Sequence, residues 1–167
     1  MLFLFGCIVR LISNRVVMIS YIKGKIKTIV EQRLFIIVDA LQIGFSISVL
    51  RSSSFSIEQD VELYLYMHWN QEHGPSLYGF RTMQERELFI LINSCSGIGP
   101  KMALAILEQA DIGTFVSAIQ ARDIKILSQF KGIGMKKAEQ LVLQLKDKVD
   151  TFVSAHQIQS VGVAKHL

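Results

Sequence analysis

The sequence predicts an α+β protein, a small five-stranded β-barrel followed by an all-α domain. Three observations predict it. Apolar residues recur with period two from Ile19 to about Phe80, the period becomes helical from Met83 onward, and one short glycine motif occurs twice in the helical half. The boundary is expected near Arg81-Thr82, giving domains at residues 18–82 and 83–150.

In the first half, Ile43, Phe45, Ile47 and Val49 alternate with Gly44, Ser46, Ser48 and Leu50. Val61, Leu63, Leu65, Met67 and Trp69 alternate with Glu62, Tyr64, Tyr66 and His68. Such alternation turns one set of side chains toward a buried face. Strands are predicted at about residues 19–29, 33–39, 43–50, 61–69 and 76–80. Turns are expected at Arg51-Ser52-Ser53-Ser54 and Gln71-Glu72-His73-Gly74-Pro75. Five short strands with no helix between them suit a closed barrel of the oligonucleotide-binding type. By parity Trp69 is expected in the core, and Tyr64 and Tyr66 beneath a neighbouring domain or subunit. The competing reading makes these three aromatics stacking platforms for a single strand.

In the second half, Leu88, Phe89, Ile92 and Cys95 share a helical face, as do Ala103, Ile106 and Leu107, and then Leu141, Val142 and Leu145. Asp111 or Thr114 is expected to cap a helix carrying Phe115, Val116 and Ile119. Asp123 is expected to cap another, carrying Ile124, Leu127 and Phe130.

Half of the 167 residues are apolar, enough for a real core, and the net charge of +4 suggests an anionic partner. Residues 1–17 hold an apolar run, then Arg10 and Arg15, and no acid. The run is too short to cross a bilayer and lacks the flanks of a signal peptide, so no membrane association is expected. Met18 is the expected natural start, and residues 1–17 a mis-assigned extension; a native peptide running across residues 15–18 would refute this. Cys7 and Cys95 have neither metal-ligand nor redox spacing, which fits a reducing cytoplasm. His68, His73, His156 and His166 are scattered, and no metal or cofactor is implied.

Gly97-Ile98-Gly99 recurs as Gly132-Ile133-Gly134, and the match continues through Lys101 with Lys136 and Ala103 with Ala138. A Gly-apolar-Gly turn that opens a helix exposes backbone amides with the helix dipole behind them, an arrangement that binds a phosphate. Lys101 and Lys136 would add salt-sensitive attraction without reading a base. One such turn is often only a packing device; two copies with matching lysines point to phosphate binding. A dinucleotide site is excluded, because neither copy has the third glycine and each follows a helix. A Gly-x-x-x-x-Gly-Lys-Ser/Thr loop is also absent, so no ATPase is expected.

Leu77-Tyr78-Gly79-Phe80 closing the barrel, Gln84-Glu85-Arg86 opening the helices, Gly97-Ile98-Gly99-Pro100-Lys101, Ala103-Leu104-Ala105-Ile106-Leu107, and Gly132-Ile133-Gly134 with Lys136, Ala138 and Glu139 together resemble the RuvA family of bacterial Holliday-junction recognition subunits. The resemblance covers about residues 18–149. It implies a homotetramer holding a four-way junction open, each subunit's hairpins tracking the phosphates of a duplex arm. It also implies a hexameric ATPase partner, RuvB, in recombination and repair. On it, Gly97, Ile98, Gly99, Lys101, Gly132, Ile133, Gly134, Lys136 and Lys137 are expected to bind DNA.

The chain departs from the family pattern at three places. The family's acidic pin has two adjacent acids, whereas this chain reads Glu72-His73, so Glu72 alone is expected to serve. After the last hairpin glycine, Met135 precedes Lys136 and Lys137, shifting one charge along the helix. Family members also continue through a linker into a three-helix domain that binds the ATPase. Residues 151–167 are too few for such a core and are expected to form a frayed helix or a disordered stub. A truncated or decaying gene product, or a motor that docks differently, would account for this. Helix-hairpin-helix units also occur in DNA-cutting enzymes, but Asp147 and Asp150 read as a mixed-charge helix end, and Glu58, Asp60 and Glu62 as a solvated edge. The chain is therefore expected to be non-catalytic.

Overall fold

The computed structural model describes the backbone of residues 18–163 and the side chains through residue 156. The reading of residues 1–17 as an extension lies outside the described residues. Strands β1 (Tyr21–Val30), β2 (Arg33–Val38), β3 (Ile43–Val49), β4 (Asp60–Asn70) and β5 (Gly74–Phe80) come first. They close into a barrel in the order β1-β2-β3-β5-β4, with β4 returning to pair with β1. The closing pair, β3 with β5, is parallel, and the others are antiparallel. Inside lie Ile22, Ile26, Leu34, Ile36, Ile47, Val49, Val61, Leu63 and Leu65; of the alternating residues, Ile43 is exposed and Phe45 and Met67 are half-buried toward the strand ends. Gly79 lets the closing strand pass, since a Cβ there would press into Ile47 and Leu63. The Arg51-Ser52-Ser53-Ser54 turn contains one 3-10 turn at Ser52–Ser54.

Trp69 is not in the core; it is 65% exposed. Parity is the wrong guide here because β4 outruns its neighbours. β1 pairs with β4 only as far as Tyr64, and β3 pairs with β5 only from Leu77. Beyond those points β4 and β5 form a two-stranded ribbon in which Trp69 faces Pro75 and Asn70 faces Gly74. A two-stranded ribbon has no second layer, so its inward-parity side chains meet solvent. β5 also starts at Gly74, two residues earlier than predicted, with Pro75 tolerated on a strand that has only one neighbour there.

The helical half comprises α1 (Met83–Asn93), α2 (Pro100–Gln109), α3 (Ile112–Gln120), α4 (Ile124–Ser128) and α5 (Met135–Val163). Thr82 starts α1 with a capping box: its Oγ1 accepts from Glu85 N at 3.1 Å, and the Glu85 carboxylate accepts from Thr82 N at 3.3 Å. Asp111 caps α3 and Asp123 caps α4, accepting from the amides of Thr114 and Ile126 at 2.8 and 3.0 Å. Thr114 is therefore the donor, not the cap. α5 crosses the expected boundary at residue 150 without a break. Val149 and Phe152 prolong the buried stripe of Leu141, Val142 and Leu145, so the same face keeps its cover. Among the described residues no single helix is long and apolar enough to cross a membrane.

The two halves join through aromatic rings on the outer face of β4 and β5. Phe89 of α1 packs against Tyr66, Tyr78 and Phe80, with ring centroids 5.3, 5.3 and 4.8 Å away. Tyr66 thus lies beneath the neighbouring domain, whereas Tyr64 remains half-buried, edge-on to Tyr21. Polar ties flank the rings. The Arg86 side chain donates through Nε to the Leu65 carbonyl at 2.6 Å, and the Arg51 amide donates to both Glu108 carboxylate oxygens at 2.8 and 3.1 Å. Burial lowers the Arg86 pKa below the usual guanidinium value.

Candidate nucleic-acid interface

The two glycine turns are one structure built twice. Gly97 and Gly132 lie at φ +77° and +91°, a region that side chains with a Cβ rarely enter. The next residue then dips into the core. Ile98 donates its amide back to Cys95 O at 3.1 Å, and Ile133 donates to Phe130 O at 2.9 Å. Gly99 and Gly134 follow, and their carbonyls accept the first helical bonds, from Ala103 N at 2.9 Å and Ala138 N at 3.0 Å. Burial repeats with the same offset: Ala103, Ile106, Leu107 and Ala110 are buried, as are Ala138, Leu141, Val142 and Leu145.

Each turn ends at the start of a helix, where the first amides have no carbonyl a turn behind them. Among the described residues, the amides of Gly99, Lys101 and Met102 have no partner in the protein, nor do those of Gly134, Met135, Lys136 and Lys137. Gly99 and Gly134 are outside the positive-φ region, and a Cβ at either would meet nothing within 4 Å. Glycine serves as the N-cap of the first of these helices, and neither position needs it for packing or for a positive φ. The space beside both is open to a group from outside.

The structure sorts the sequence-predicted residues. Lys101 and Lys136 are exposed and occupy the second position of α2 and α5, so each ammonium shares the end of its helix with the free amides. Ile98 and Ile133 are only 6% and 4% exposed, and their amides are used within the turn. Their side chains anchor the hairpins to the core. Lys137 is half-buried, with Nζ 3.6 Å from Met102 Sδ. Glu72 lies elsewhere, at the tip of the β4–β5 ribbon. Its amide and that of His73 donate to Asn70 Oδ1 at 2.8 and 3.1 Å, and both side chains are about four-fifths exposed.

Four residues escaped the sequence reading. The amide of Ser96, just before the first hairpin glycine, donates to Gln144 Oε1 at 3.0 Å. The amide of Lys131, just before the second, donates to Gln109 Oε1 at 2.7 Å. Both pairs obey the repeat offset, because Lys131 repeats Ser96 and Gln144 repeats Gln109. Lys137 and its neighbour Met102 are also equivalent positions. When equivalent residues touch, or touch reciprocally, the copies are related by an approximate two-fold axis. Extending the repeat beyond its identical letters matches Gln109 with Gln144 and Ser96 with Lys131, but which of them touch is visible only in the structure.

A closed barrel joined to two glycine hairpins about a local two-fold axis defines the class of barrel-plus-tandem-helix-hairpin-helix proteins. Sequence comparison agrees domain by domain: residues 18–79 match the RuvA N terminal domain, and residues 89–147 match the SAM-like Helix-hairpin-helix tandem. Over 142 residues the chain is 39% identical to a protein of Listeria monocytogenes serotype 4a (strain HCC23), covering 83% of this chain and 68% of that one. Over 134 residues it is 41% identical to a protein of Lactococcus lactis subsp. lactis (strain IL1403), covering 80% and 67%. Both relatives are named Holliday junction branch migration complex subunit RuvA. The chain belongs to the RuvA family.

Proposed function

We propose that this chain is the non-catalytic, junction-binding subunit of a branch-migration complex acting in bacterial recombination and repair. It binds four-way DNA through the backbone phosphates, as a homotetramer, in the cytoplasm. A RuvB-like ATPase supplies the motor. The observation that carries this reading is the pair of hairpins whose helix-terminal amides have no partner among the described residues, beside glycines that leave the approach to them open. A phosphate fits there because the amides are its donors, the helix dipole favours its charge, and Lys101 and Lys136 neutralise it. Lys131, exposed at the rim of the second turn, adds a cation where the first copy has Ser96. Glu72 at the ribbon tip acts as a reduced acidic pin that keeps phosphates away from the strand-separation point.

The test is a fluorescence-anisotropy titration of the whole chain against a four-way junction and a matched linear duplex, each at two salt concentrations. Tighter, salt-sensitive binding to the junction is expected. Equal weak binding to both would leave only a generic DNA-holding module.

A further inference from the structure

The reciprocal glutamine contacts lie outside the candidate phosphate-binding groups, one residue ahead of the first glycine of each hairpin. Gln109 is at the end of α2 in the first copy, and its Oε1 holds the amide that enters the second hairpin. Gln109 Nε2 donates to Ala105 O at 2.7 Å, so this side chain is fixed at both ends. Gln144, on α5 of the second copy, holds the amide that enters the first hairpin. Each turn is therefore pinned by the other copy, one residue ahead of a glycine at positive φ. A turn fixed only by its own Ile98 or Ile133 bond could rock about its core isoleucine. A second fixed point restricts that motion.

We propose that Gln109 and Gln144 are crosswise positioning residues. Gln144 orients the first hairpin for its phosphate, and Gln109 orients the second. The proposal rests on the phosphate-binding reading of the hairpins, and the test separates the two. Junction affinity is measured for the whole chain carrying Gln144→Leu or Gln109→Leu, alone and combined with Lys101→Ala or Lys136→Ala. Each leucine variant is expected to weaken junction binding by about three- to tenfold, the scale of one lost hydrogen bond.

The distinguishing readout is the pattern of coupling. In the Gln144→Leu background, Lys101→Ala should cost less than in the wild type, because its hairpin is already displaced, while Lys136→Ala keeps its full effect. In the Gln109→Leu background the roles reverse. Gln144→Glu retains the acceptor, so hydrogen exchange at Ser96 should stay as slow as in the wild type, whereas Gln144→Leu should accelerate it at Ser96 and Gln109→Leu at Lys131. Melting curves exclude unfolded variants, and the exchange readout holds even if one leucine variant proves unstable. Additive lysine and glutamine effects, or coupling within the same copy, would overturn the proposal and leave the phosphate reading intact. Lysine variants that bind as tightly as wild type would overturn both.

Discussion

Alanine at Gly134 separates a phosphate seat from an ordinary helix start. Within the protein the added methyl meets no atom within 4 Å, and the backbone there is open to any residue. Alanine caps a helix less well than glycine, but it also lowers the entropy of the unfolded chain, so the net change in stability should stay within about 1 kcal/mol. DNA binding should respond differently. A phosphate oxygen seated at about 2.9 Å from the amides leaves no room for a methyl carbon, and backing away lengthens at least one charge-assisted bond worth about 1.5–3 kcal/mol. That corresponds to roughly a ten- to hundredfold loss of junction affinity. Gly99→Ala should behave alike. Gly132→Ala, at φ +91°, should instead lose stability by about 1–2 kcal/mol because a Cβ strains that conformation. The assay pairs thermal melts with anisotropy titration of a labelled junction. Wild-type junction affinity in Gly134→Ala would refute the reasoning, as would a binding loss that merely tracks unfolding.

Other consequences can be checked separately. Phe89→Ala empties the ring cluster that joins barrel to helices and should cost about 3–5 kcal/mol in urea denaturation. Glu72→Gln should alter branch migration by the complete complex more than it alters junction affinity, since the exposed carboxylate at the ribbon tip offers a phosphate no donor or positive charge; an unchanged migration rate would count against the pin. Burial pushes the Cys95 thiol up to about 11 from an ordinary 9.0. Alkylation of this thiol at pH 8 should therefore be slow until the chain unfolds. Its contribution to stability should be intact below pH 9 and be lost as pH rises toward 11, because the folded state holds its proton longer.

Most of the fold was legible because the core faces are periodic. Val61, Leu63 and Leu65 point into the barrel as their alternation requires, and Asp111 and Asp123 stand where a capping side chain was expected. Alternation reports strand geometry but not how far neighbouring strands extend, which is why Trp69 was misplaced. The boundary at residue 150 was drawn from where the family resemblance stops, while the apolar stripe through Val149 and Phe152 runs past it. At the interface, the glycines were visible as letters. The use of the Ile98 and Ile133 amides within their turns was not, since it depends on the reversal that Gly97 and Gly132 permit. The pairs Ser96–Gln144 and Lys131–Gln109 were hidden because the repeat persists there in position without persisting in every residue.

The most direct measurement is phosphate interference on a four-way junction: single phosphates are replaced by uncharged methylphosphonates along each arm, and binding of the whole chain is titrated for each substitution. The account predicts that binding weakens at a few clustered phosphates near the branch point, on both strands of an arm, and that Gly99→Ala and Gly134→Ala each erase one cluster. Uniform small effects along the arms, or clusters unmoved by either substitution, would contradict the claim that the paired hairpins hold the junction by its backbone.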